Sequence, residues 1–133
     1  MKTFFLFSIL LFVNVSFGLR FASVQVVTNG NMSTAEIDST GIDVNQLVNA
    51  SFQAQFSGSP VGTMKLQFSD SLTYLCTDSR ILWTDYTGSS TSISGAGTFA
   101  YNLLQAGYRC VRLVYLKTSG SGTLNVTFSG KGP

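Results

Sequence analysis

The chain has 133 residues with eight basic and six acidic side chains, no histidine, and only 11% charged residues, a length that suits one domain. Without histidine, Ser–His and Cys–His nucleophilic systems and histidine-bound zinc are excluded. The near-balance of charge supplies no clustered basic face for nucleic acid.

The first eighteen residues read as a secretory signal peptide. Lys2 gives a positive start, Phe4–Val15 is almost unbroken apolar sequence, and Ser16 and Gly18 are the small residues a signal peptidase requires before its cut. Leu19 follows the cut, so there is no lipoprotein cysteine. The alternative, an uncleaved membrane anchor, needs a span of about 20 apolar residues, and this run is shorter. Cleavage leaves a domain of residues 19–133 with seven basic and six acidic side chains. No later run reaches spanning length. The expected product is exported and soluble, destined for the periplasm, the cell surface or the exterior.

The mature chain is rich in Ser, Thr, Gly, Val and Phe, a composition of strands and turns. Strands are predicted over residues 23–28 and 34–38. Ile42–Ala50 is the nearest approach to a 3.6-residue period and supports one helical turn at most. In "NASFQAQFS", Ala50, Phe52, Ala54 and Phe56 alternate with Ser51, Gln53 and Gln55. In "TMKLQFS", Met64, Leu66 and Phe68 alternate with Thr63, Lys65 and Gln67. With "SGSPVGT" between them, the two runs predict a β-hairpin with one face in the core and the other in water.

Further strands are predicted over residues 72–76, 81–84, 91–94, 98–104, 108–117 and 122–129. Glycine-bearing turns separate most of them, because turns need positive φ. The fold class that follows is all-β, an antiparallel β-sandwich with a jelly-roll-like layout.

Residues 108–117 pose a problem. Both parities of "YRCVRLVYLK" are largely apolar, whereas a strand with one wet face should alternate. Either something covers it on both sides or its second face is an interface, which predicts homo-oligomerisation. Arg109 can reach solvent from the strand's start. Arg112, between Cys110 and Val114, needs an acidic or carbonyl partner, since a buried unpaired guanidinium is very costly. Asp85 and Asp70 are the candidates.

Cys76 and Cys110 are the two cysteines. Export permits a disulfide between them; two buried free thiols are the other reading. No zinc site can be built from two cysteines alone, and "TSGSGT" lies between strands without the helix a phosphate loop requires. Asp70, Asp78 and Asp85 sit in one loop-rich region. They are expected as turn-capping residues, with a glycosidase pair or a structural calcium ion as the chemical alternatives. Trp83, Tyr86 and Tyr101, with Tyr74, are either ordinary core aromatics or a sugar-stacking platform. Asn31, Asn49 and Asn125 open Asn-X-Ser/Thr triplets.

The stretch "NGNMSTAEIDSTGIDVNQLVNASFQAQFSGSPVGTMKLQFSD" and the pieces "WTD", "SGAGTF", "AGYRCVRLVY" and "TSGSGTLN" resemble small β-sandwich structural proteins of tailed bacteriophages. The likeness runs from about Thr28 to Gly132. It implies a non-enzymatic assembly or attachment module without cofactors. "YRCVRL" is also similar to the penultimate strand of discoidin-like and carbohydrate-binding jelly rolls. That likeness implies a sugar-binding alternative through Trp83, Tyr86 and Tyr101. Two features depart from the phage pattern: the signal peptide, and Cys110 together with a lengthened "SLTYLCTDSRIL" segment. A cysteine in each place implies a bridge acquired in an oxidising compartment.

Overall fold

The computed structural model describes residues 21–104 and 107–132; the expected signal peptide lies outside them. Among the described residues there are ten strands: β1 (Phe21–Asn31), β2 (Glu36–Asp38), β3 (Ile42–Asp43), β4 (Asn49–Gly58), β5 (Val61–Ser69), β6 (Thr84–Asp85), β7 (Thr91–Ser94), β8 (Gly97–Leu104), β9 (Cys110–Ser119) and β10 (Gly122–Lys131). All pairings are antiparallel. One sheet has the order β1-β10-β4-β8. The other runs from β2 and β3 through β9 and β5 to β6 and β7. The chain is an antiparallel β-sandwich.

The core lies between the sheets. It takes Phe52, Ala54 and Phe56 from β4, Leu124, Val126 and Phe128 from β10, Met64 and Leu66 from β5, and Val111, Leu113 and Tyr115 from β9. These are the apolar parities of each alternating strand, and burying them supplies most of the driving force for folding. Phe52 and Phe128, opposite one another in the β4–β10 ladder, meet edge to face at 5.1 Å. Met32 and Val44, in the connections, close the core and are fully buried.

The predicted hairpin at residues 50–68 is corrected. Both strands form, but β4 pairs with β10 and β8, whereas β5 pairs with β9, β6 and β7. The "SGSPVG" turn therefore crosses from one sheet to the other. Period-2 alternation marks a strand with one buried face, yet a hairpin and a crossing arch bury the same parity, so alternation alone cannot choose. The backbone of the corner decides. Gly58 has φ +84°, the Ser59 N–H donates to Ser121 O, and Pro60 O accepts from the Gly95 N–H. The β9–β10 corner crosses beside it, and a Cβ on Gly120 would lie 2.0 Å from Ser59 O. The two corners interlock backbone to backbone.

The expected strands at 72–76 and 81–84 are also corrected: the first is absent, and the second shrinks to Thr84–Asp85, paired with Gln67 and Phe68. Local bonds satisfy this segment instead. The Tyr74 N–H donates to Ser71 Oγ, the Arg80 N–H to Asp78 Oδ1, the Asp78 N–H to Leu75 O and the Ile81 N–H to Asp78 O. Serine and aspartate side chains that capture nearby N–H groups compete with the ladder. Ile42–Ala50 holds the short strand β3 and a turn rather than a helix.

Candidate functional site

The outer face of the β2-β9-β5-β6 sheet carries a chain of polar side chains, one strand to the next. Asp38 on β2 accepts from Arg112 Nη1 at 2.7 Å. Arg112 Nε donates to Gln67 Oε1 on β5 at 2.8 Å, and Gln67 Nε2 donates to Asp85 Oδ1 on β6 at 2.8 Å. Lys65 Nζ closes the row on Asp85 Oδ2 at 2.7 Å. Register produces this row: Arg112 stands opposite Gln67, Gln67 opposite Asp85, and Asp38 opposite Val114. Arg112 does pair with a carboxylate, but the partner is Asp38, not Asp85 or Asp70. Asp85 is taken by Lys65 and Gln67, and Asp70 accepts from the Arg109 N–H.

The doubly apolar strand is explained by cover from within the chain. Trp83 lies over the Arg112 guanidinium, with Cζ 4.7 Å from the ring centroid, a cation–π arrangement. Beside it Cys76 and Cys110 form a disulfide, with Ile81, Tyr74 and Trp83 packed around it as a second small apolar cluster. Cys110 and Val114, on the outward parity of β9, are fully buried. Around Cys110 and Arg112 the second face of β9 is thus covered from within the chain, by Cys76, Ile81 and Trp83. Arg109, expected to reach solvent, keeps 23% of its side chain exposed and is also held by the chain: Nη1 donates to Ser71 O and Nε to Asp43 Oδ2.

Between this loop and β2 lies a cleft of about 570 Å³, bordered by Asp38, Thr40, Thr77, Asp78, Trp83 and Arg112 among others. Its lining is mostly polar hydroxyl and carboxylate with one aromatic wall. The hydrogen bond from Arg80 holds the Asp78 carboxyl down at about 2. Hydrogen bonds from Lys65, then Gln67, lower Asp85. Glu36 is shifted the other way, raised by burial and then by the charge of Asp38. Among the described residues no group of three or more acidic or thiol side chains is placed to hold a metal ion. Asp70, Asp78 and Asp85 each serve a different hydrogen-bond partner.

The sugar-platform residues are not brought together. Trp83 borders the cleft. Tyr86 packs edge-on against Tyr108, which stacks on Phe68. Tyr101 lies on β8 of the other sheet, against Phe99, and shares a 3.3 Å hydrogen bond with Thr91. The sequence reading missed the exposed apolar side chains of the disulfide-tethered loop, Leu72, Leu75 and Leu82, which are 88%, 71% and 86% exposed. Their position in predicted strands pointed to the core; only the absence of a ladder there puts them in water.

No protein-family model matches the sequence, and no curated protein matches it. Solved structures do. The PBSX exported protein XepA is similar with a TM-score of 0.56 at 14% identity, over 84% of this chain and 37% of XepA. The chain thus spans little more than a third of that protein. It shares the β-sandwich fold with XepA. The SPBc2 prophage-derived protein YomS is similar over 84% of this chain and 94% of its own, at 14% identity and a TM-score of 0.49. A protein of Bacillus endospore appendages, described as disulfide-linked pili, is similar over 87% of this chain and 92% of its own, at 9% identity and a TM-score of 0.44.

Proposed function

We propose that this protein is an exported, non-enzymatic β-sandwich module of phage-related type that works through its surface, in assembly or attachment. The observation that carries the reading is the loop of residues 70–83. A disulfide to β9 pins it onto a rigid sheet, yet it turns Leu72, Leu75 and Leu82 outward. Three leucines exposed on one cross-linked loop offer apolar area whose burial by a partner would favour binding. The fold shared with XepA, named an exported protein, and the disulfide, which forms in oxidising compartments, support export. The proposed location is the periplasm, cell surface or exterior.

The test is binding of the labelled mature protein to cell envelopes of its source. Replacing Leu72, Leu75 and Leu82 together with serine is expected to lower retention at least tenfold while leaving the unfolding midpoint within error. Equal retention by the variant sinks the reading.

The carbohydrate-binding alternative keeps one specific observation, the polar cleft with Trp83 at its wall. Trp83 is the only tryptophan, so its emission reports occupancy directly. Saturable emission changes with a neutral saccharide, lost on Asp38→Asn and Thr40→Val, favour that function; unchanged emission across a saccharide panel removes it.

A further inference from the structure

The sandwich has four lateral edges, and three of them are guarded. An open edge offers unpaired N–H and C=O groups to any passing strand, and proteins block this with bulges, short strands, charge or proline. Two register shifts break β1 between Gln25 and Gly30. The β2/β3 edge consists of strands of three and two residues that carry Glu36, Asp38 and Asp43. The β6/β7 edge consists of strands of two and four residues.

The fourth edge, β8, has none of these devices. It is eight residues long, GTFAYNLL, with no charge and no proline. It pairs with β4 without a register shift from Asn49↔Leu104 to Phe56↔Gly97. Among the described residues no strand pairs with its other side.

The sheet behind that edge is as bare of charge. β1, β4 and β8 contain no charged residue, and β10 has only Lys131 at its end. Its solvent face presents Gln53 and Gln55 on β4, Thr127 on β10, and Thr98 and Ala100 on β8. Every other charged side chain of the described residues belongs to the second sheet or to the connections. A second copy approaching along β8 therefore meets no like charge, and the strand is its own complement when reversed about a twofold axis.

We infer that β8 is a self-association edge: two copies pair β8 to β8, antiparallel, joining two four-stranded sheets into one of eight. The inference rests on the assembly side of the proposed function and is separate from attachment through Leu72, Leu75 and Leu82, which belong to the opposite sheet's outer side. One added strand pairing is a small interface by the standard of stable complexes, so association is expected at tens of micromolar.

Sedimentation equilibrium of the mature protein from 2 to about 200 µM tests it. The expected result is a reversible dimer. Thr98→Lys with Ala100→Lys, at exposed positions, is expected to weaken it at least tenfold, with partial recovery in 1 M salt as the lysines are screened. Gln25→Lys, on the bulged β1 edge, and the triple leucine variant are expected to dimerise like the parent. A strict monomer throughout, or a dimer indifferent to the β8 lysines, overturns the inference. So does a monomer whose β8 instead captures an added edge-strand peptide.

Discussion

Arg112 concentrates the chemistry of the outer face. Its guanidinium joins Asp38 on β2 to Gln67 on β5 and supports Trp83. Its side chain is 18% exposed, so the charge is worth more here than in a surface ion pair. Arg112→Ala is expected to cost about 2 kcal/mol, read as a lower urea midpoint, and to shift Trp83 emission to the red. Arg112→Lys keeps the charge and loses the fork that reaches both partners; it should recover less than half of the loss. Full recovery by lysine would show that charge alone matters.

Acid stability belongs to the same scale. Asp78 and Asp85 have folded-state values below their ordinary ones. Their contributions are therefore complete above about pH 5 and are lost as pH falls through the folded value, about 2 for Asp78. Glu36 is raised, so its ionisation opposes folding and that penalty vanishes on acidification. Glu36→Gln is expected to raise the melting temperature at pH 7 and leave it unchanged at pH 3. A rise of equal size at both values would mean the effect is not electrostatic.

At the level of elements, the corners and the tethered loop carry the specificity. Gly120 and Gly88 both have positive φ. A Cβ at Gly120 meets backbone at 2.0 Å, whereas at Gly88 it meets nothing within 4 Å. Gly88→Ala should cost about 1 kcal/mol from backbone strain alone. Gly120→Ala adds a clash that forces the two corners apart and should cost several-fold more, or prevent folding. Equal losses, measured by chemical denaturation, would mean the corners are not interlocked.

The disulfide closes a separation of 34 residues. Its removal by Cys76→Ser with Cys110→Ser should cost about 3–4 kcal/mol on loop entropy, with far-UV dichroism unchanged and Trp83 emission moved to the red. Retained emission would show that the loop docks without its tether. This loop is also where sequence patterning failed. Leu72, Leu75 and Ile81 look like strand residues by type, but Ser71 and Asp78 beside them supply turn bonds that cancel the ladder.

Over the whole molecule, chain order and spatial order diverge. β1 and β10, the first and last strands, pair Phe21 with Lys131, and β10 is also the sole link from β1 to β4. Six connections cross between the sheets, so most strands pair with distant partners. Folding should accordingly be slow, in milliseconds to seconds, when followed by Trp83 emission after dilution from denaturant. Relaxation in microseconds would contradict it.

Much of this molecule was determined by sequence alone. The alternation in Ala50–Phe56 and Met64–Phe68 set which side chains enter the core, and the glycine-rich breaks marked where strands end. The conflict between Arg112 and its apolar neighbours announced that β9 has no ordinary wet face, and left cover from within the chain and an interface with a second copy both open. The identity of that cover, the choice of Asp38 as partner, the crossing of the 58–61 corner and the guarding of three edges but not the fourth were decided only in three dimensions. Alternation is a local property of one strand, whereas pairing is a property of strands far apart in the chain, and a given parity is compatible with many partners.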